Sequence, residues 1–233
     1  MPMLRTLLHR LSVALPSQCA ICQSWPAQPV CQSCLGRFAR PQPRCPGCAM
    51  PLPAGVTRCG TCLSAAPVID LCLAAVPYEY PWSDLVARYK FGTSPGWSHA
   101  LAELMRATPG AQAALQSAEL LLPMPLSKQR LRERGFNQAL ELARQLDPHK
   151  TRSGLLLRLR DTPAQSSLAR EARLRNGRGA FGLADGGAAA LAGRNVMLID
   201  DVMTSGASLG TAAAVVRAAG ASHISALVLA RTE

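Results

Sequence analysis

Short, solid apolar runs alternate along most of this chain with stretches whose apolar residues recur every three or four positions. Residues 71–80, 120–124, 155–159, 196–199 and 223–230 are of the first kind and read as strands. Residues 82–91, 98–108, 136–146 and 207–219 are of the second kind and read as helices. Asn137 stands near the start of the third helix, and Gly220 stops the fourth. Residues 161–178 show no clean period and read as a polar, Arg-rich loop with a helical piece. Strand alternating with helix predicts an α/β fold, with a mainly parallel sheet flanked by helices. At the start of the chain Leu4, Leu7, Leu8 and Leu11 fall on one helical face, which predicts a short helix docked on the body.

The first 66 residues have a different character. They are rich in Pro, poor in aromatics, and hold four C-x-x-C pairs: Cys19/Cys22, Cys31/Cys34, Cys45/Cys48 and Cys59/Cys62. So small a segment cannot close an adequate apolar core and needs a metal or a disulfide staple. Two C-x-x-C knuckles supply the four thiolates of a tetrahedral zinc site, so four pairs predict two structural zinc sites with four cysteine ligands each. The spacing allows sequential pairing, first with second and third with fourth, and also interleaved pairing. Redox pairs and an iron–sulfur cluster are the alternatives. The ninth cysteine, Cys72, lies in an apolar run and reads as a core residue. The expected organisation is residues 1–66, an N-terminal helix with a double zinc ribbon, followed by an α/β domain over residues 67–233.

The Arg and Leu pattern of residues 1–15 contains no apolar run long enough for a secretory signal, and no stretch approaches the roughly 20 apolar residues of a membrane helix. The expectation is a cytoplasmic protein, where cysteines serve as metal ligands rather than disulfides. Net charge is +11, and 22 of the 25 basic residues are Arg. The charge is concentrated: residues 1–66 carry six Arg and no acid, and residues 128–178 carry thirteen basic and five acidic residues. Both blocks suit a phosphate-rich partner, although a solvated basic surface has the same composition.

The run from Val196 to Ser208 narrows the partner. A buried strand leads into Asp200 and Asp201, and a turn with Thr204, Ser205, Gly206, Ala207 and Ser208 leads into a helix. Ligands of open α/β sheets bind at the carboxyl ends of strands. A helix N-terminus offers unpaired N–H groups to a phosphate, and a glycine allows close backbone approach. The paired acids suit the two hydroxyls of a ribose. The bland alternative is a strand–turn–helix with a solvated Asp-Asp pair.

Two basic stretches supply partners for further phosphate. Lys128, Arg130, Arg132 and Arg134 follow the strand at 120–124, and Arg130 and Arg134, four apart, would share a helix face. Gln165 and Arg173 lie in the polar stretch 161–178, whose place between strands fits a lid.

The acid-and-hydroxyl run resembles the fingerprint of the type I phosphoribosyltransferases. That resemblance implies Asp200 and Asp201 on the ribose 2- and 3-hydroxyls, and Thr204 through Ser208 around the 5-phosphate. Purine-salvage members carry a further Asp where this chain has Thr204, which argues against a hypoxanthine or guanine substrate. Four motifs occur in order: Y-K-F-G at Tyr89–Gly92, L-P-x-P-L-x-x-x-R-x-R-E-R-G-F-N-Q-A from Leu122, T-x-x-Q-x-x-L-x-x-x-x-R-x-x-N from Thr162, and I-D-D-V-x-T-S-G-A-S from Ile199. Behind the cysteine knuckles, these resemble the ComF family over essentially the whole chain. The resemblance implies 5-phosphoribosyl 1-diphosphate (PRPP) with Mg²⁺, two zinc ions, single-stranded DNA, competence proteins and a role in DNA uptake. Two function classes follow: a DNA-handling competence factor, or a metabolic phosphoribosyltransferase with a small acceptor. No side chain stands out as a general base. His99, His149 and His223 are isolated and read as structural or surface residues.

Overall fold

Val196, Met197, Leu198 and Ile199 are all at most 1% exposed, as expected of a strand covered on both faces by helices. The computed structural model describes residues 17–25, 27–92, 96–159 and 179–233. It divides into two compact units, Met1–Arg40 and Pro41–Glu233.

The first unit holds the first two cysteine pairs, a bridge between Ser17 and Ala27, and one short helix, α1 (Gln32–Phe38). The second begins with the other two pairs and α2 (Gly60–Ser64). The division therefore falls well before residue 66. The second pair of knuckles belongs with the sheet because it packs there: the Cys72 N–H donates to Pro46 O at 2.6 Å, and Ala49 lies in the sheet's core cluster.

The strands are β1 (Leu71–Pro77), β2 (Leu120–Pro123), β3 (Leu156–Arg158), β4 (Phe181–Leu183), β5 (Asn195–Met203) and β6 (His223–Arg231). Four of them form an all-parallel sheet in the order β1–β6–β5–β2. The other two make a separate antiparallel pair, β3–β4. The mainly parallel α/β architecture expected from the sequence is present.

Between β1 and β2 lie α3 (Trp82–Phe91), α4 (Trp97–Arg106) and α5 (Ala111–Ser117). Then come α6 (Lys128–Arg134), α7 (Gln138–Leu146), α8 (Gly187–Leu191) and α9 (Ala207–Ala218). Successive strand residues face opposite sides of a sheet. Val196, Leu198, Ile224, Ala226 and Val228 share one cluster with Leu209, Ala212, Ala213 and Val216 of α9. Met197, Ile199, Leu227 and Leu229 face the other way. There α4 and α7 pack on each other, α4 against β6 and α7 against β5. Asn137 caps α7, its side chain accepting from Leu140 N–H at 3.3 Å, and Ala139, Leu142, Ala143 and Leu146 form the buried stripe.

Three expectations on local structure change. Leu71 starts a strand that stops at Pro77, not at residue 80. Residues 128–134 form a helix where only a basic loop was clear. β5 continues through both acids to Met203, because β6 goes on pairing with it as far as Met203↔Arg231, beyond Ile199 where β2 ends.

Candidate functional site

Adjacent residues on β5 have opposite surroundings. Asp201 falls on the side of Met197 and Ile199, where α3 and α6 bring cations to it. Lys90 Nζ lies 3.1 Å from Asp201 Oδ1, and Arg134 Nη1 lies 3.9 Å from Oδ2. Asp200 falls on the side of Val196 and Leu198 and makes no ion pair among the described residues. Its Oδ1 accepts from the Asp201 N–H at 2.9 Å. Burial and the neighbouring Asp201 charge push its carboxyl up to about 7, against the pull of that N–H, Lys90 and Arg134.

A cleft of about 270 Å³ lies over these acids. Its wall includes Asp200, Asp201, Thr204, Gly206, Ala207, Ser208, Arg130 and Arg134. Residues far apart in sequence thus meet in one place. Lys128 and Ser205 are exposed and do not line it. The Ser205 hydroxyl instead accepts from the Ala207 N–H at 3.4 Å. Gln165 and Arg173 lie outside the described residues. His99, His149 and His223 do not line the cleft.

The basic side is set by α6. Ser127 caps it, accepting from Arg130 N–H at 3.2 Å, and Gly135 ends it in the left-handed conformation with φ 78°. No residue of α6 is buried. Arg130 and Arg134, one turn apart, reach the cleft, while Lys128 and Arg132 are exposed. Arg134 is held from several sides: its Nη1 donates to Gln138 Oε1 at 3.0 Å, and its guanidinium lies 5.6 Å over the Phe91 ring. Tyr89 in turn donates to the Gln138 carbonyl at 3.1 Å, joining α3 to the start of α7. Asn137 reaches back to Met124 O at 3.1 Å.

Opposite, the turn into α9 is shaped by Gly206, with φ 76°. A Cβ there would fall 2.5 Å from Met203 Cε. Ala207 and Ser208 open the helix and line the cleft, so first-turn N–H groups that lack intrahelical partners stand at the wall. Cations on one side and a helix start with two hydroxyls on the other suit an anion with several oxygens. The two carboxylates below suit hydroxyl groups.

Tyr78, Lys90, Asn137, Gln138 and Arg158 also line the cleft. Lys90 and Gln138 were marked in the sequence only as parts of motifs, and Asn137 as part of a motif and as a residue near a helix start. Tyr78 and Arg158 carried no signal.

The cysteines gather by sequential pairing. The Sγ atoms of Cys19, Cys22, Cys31 and Cys34 all lie within 4.8 Å of one another, and so do those of Cys45, Cys48, Cys59 and Cys62. Zinc–sulfur bonds of about 2.3 Å in a tetrahedron place sulfurs about 3.8 Å apart. Cys22···Cys31 at 3.6 Å and Cys48···Cys59 at 3.5 Å are close to that spacing. In each quartet an amide supports the first thiolate: Cys31 N–H donates to Cys19 Sγ and Cys59 N–H to Cys45 Sγ, both at 3.4 Å. Burial opposes ionisation of these two thiols, yet amide and thiol donors bring Cys19 to about 6 and Cys45 to about 7. Both quartets therefore fit a structural divalent ion held by four thiolates. Cys72 stays apart, buried in the core, and burial pushes its thiol up to about 12.

No family model matches the chain. Competence protein F of Haemophilus influenzae is 31% identical over 195 residues, 81% of this chain and 85% of that protein. The chain belongs to the ComF family. Other relatives of this ComF-family chain are called DNA utilization protein YhgH. Those of Escherichia coli K12 and Salmonella typhimurium are each 28% identical, over 213 and 209 residues, covering 87% of this chain and 90% of each relative. Among the described residues of this ComF-family chain, no helix is long and apolar enough to cross a membrane.

Proposed function

We propose that the cleft over Asp200 and Asp201 binds PRPP with Mg²⁺, and that this chain uses that site in DNA uptake. The observation that carries the reading is the convergence of Asp200, Asp201, Thr204, Gly206, Ser208, Arg130 and Arg134 on one cleft. In this reading the helix start and hydroxyls of 204–208 hold the 5-phosphate, the two carboxylates accept from the ribose hydroxyls, and Arg130 and Arg134 face the diphosphate. Mg²⁺ supplies charge neutralisation on the diphosphate. If transfer takes place, the C1–oxygen bond breaks with its electron pair leaving on diphosphate, and the acceptor bonds to C1 and gives up a proton. The protein's part is positioning and charge stabilisation.

The names of the relatives, a competence protein and DNA utilization proteins, support a DNA-linked role, with single-stranded DNA and competence proteins as partners. The basic blocks of the sequence support the same reading. The quartets are read as zinc sites, and cysteines kept as thiolate ligands fit the cytoplasm. A metabolic phosphoribosyltransferase with a small acceptor is the second reading, supported by the modest volume of the cleft, about 270 Å³.

Calorimetric titration of PRPP–Mg²⁺ into wild type and Asp200→Ala/Asp201→Ala tests the site: binding to the first and loss in the second is expected. Wild type that binds no PRPP sinks the reading. Diphosphate release, measured with and without single-stranded DNA, separates the two function classes.

A further inference from the structure

Arg231, the last residue of β6, is buried at 6% exposure. Among the described residues it makes no ion pair, and it meets only neutral oxygens. Its Nε donates to the Cys48 carbonyl at 3.0 Å. Its Nη1 reaches the Met203 carbonyl at 3.4 Å and the Thr204 carbonyl more closely, along with the backbone oxygen of Thr232. One side chain therefore grips a ligand residue of the second cysteine quartet at one end and the start of the phosphate turn at the other. A second strand of contacts runs parallel: Cys72 takes the Pro46 carbonyl through its N–H, and its Sγ lies 3.6 Å from Met203 Sδ. A buried guanidinium needs compensating charge. Four thiolates and one divalent ion would leave a net charge of two negative, and the Cys48 carbonyl places Arg231 beside that quartet.

We infer that Arg231 is a positioning residue, tying the backbone of Met203 and Thr204 to the second cysteine quartet so that metal there holds the phosphate turn in shape. The inference rests on the cleft being a phosphate site, but the tether itself is a statement about backbone order. Lys at this position keeps the charge and loses the fork, since a single ammonium cannot serve carbonyls on both sides as a planar guanidinium does.

The test is hydrogen exchange of the full chain, with PRPP affinity and zinc content measured alongside. Arg231→Met, Arg231→Lys, Cys59→Ser/Cys62→Ser and the combined Arg231→Met/Cys59→Ser/Cys62→Ser variant are compared with wild type. Exchange at Gly210 and Thr232, whose N–H groups donate to Gly206 O at 2.8 Å and Met203 O at 3.1 Å, is expected to quicken at least tenfold in each. The combined variant should be no faster than the cysteine variant, because both act through one path. Protection of residues 196–199 should stay at the wild-type level in Arg231→Lys. Unchanged exchange at Gly210 and Thr232 in Arg231→Met and Arg231→Lys overturns the tether, as do fully additive effects. Should the cysteine variants lose protection throughout the sheet, Arg231→Lys decides alone: a turn as protected as wild type refutes the tether. Wild type that binds no PRPP overturns the function proposed above, while the exchange rates still decide the tether.

Discussion

Lys90 Nζ sits 3.1 Å from Asp201 Oδ1, with both side chains largely withdrawn from solvent. The pair joins the end of α3 to the floor of the cleft, and among the described residues Asp200 makes no ion pair of its own. A partly buried pair broken on one side leaves the other charge stranded. Lys90→Met is therefore expected to lower stability by about 1–3 kcal/mol, read by urea denaturation. Lys90→Arg should lose less than half as much. PRPP affinity should fall about tenfold or more in Lys90→Met, because Asp201 would draw Arg134 away from the diphosphate. Equal affinities for wild type and Lys90→Met would refute a role for the pair in the site.

Asp200 gives a pH signature. Its carboxyl is raised from the ordinary range to about 7 in the folded chain. The folded state then holds a proton that the unfolded state has lost, between about pH 4 and about 7. This contribution to stability is greatest at low pH, declines through that window and stays lost above it. Asp200→Asn removes the ionisation, so it should stabilise the chain at pH 8 by on the order of 1–3 kcal/mol and leave stability at pH 4 nearly unchanged. It should also abolish PRPP binding. A variant no more stable than wild type at pH 8 would contradict the arrangement described for Asp200.

Gly206 carries two burdens, a left-handed φ of 76° and a Met203 methyl where a Cβ would go. Gly206→Ala should cost about 1–3 kcal/mol from strain and crowding together. In Met203→Ala/Gly206→Ala the crowding is gone and the strain remains, so the double variant should lose less than the sum of its parts. Full additivity in thermal melts would show that the methyl had moved aside freely.

Two quartets predict two metal ions per chain by elemental analysis. Cys34→Ser and Cys62→Ser should each drop the count by about one, and their combination by two. Because Cys45–Cys62 packs in the sheet's own unit, Cys62→Ser should also lower the melting temperature of the sheet, followed by far-ultraviolet dichroism. A count unaffected by either change would refute the tetrathiolate assignment.

How much of this was readable beforehand depends on what kind of signal each residue leaves. The C-x-x-C spacing identifies ligands directly, yet it leaves pairing open, since that depends on how the chain folds back. The strand–acid–hydroxyl run of 196–208 is local, so its shape was legible. α6 was not, because a helix with no buried residue leaves no hydrophobic period. The paired roles of Lys90 and Asp201 arise only when α3 packs beside β5, and Arg231 looks like any strand-end arginine until its carbonyl partners are known. The boundary near residue 66 followed composition, which changes there. The packing of Ala49 and Pro46 against the sheet follows shape.

The parallel pairing of β5 with both neighbours has a consequence for how such a cleft can diversify. Asp200 and Asp201 stand on one of the two central strands of the sheet, while Arg130, Arg134, Thr204 and Ser208 come from a solvent-facing helix, a turn and the first turn of α9. Exchanges among the rim residues alter charge and hydrogen-bonding partners without disturbing the apolar interior. Under the proposed function, related chains can thus drift toward other phosphorylated ligands while keeping the same floor, and variation along the rim would be the first place to look for a change of ligand.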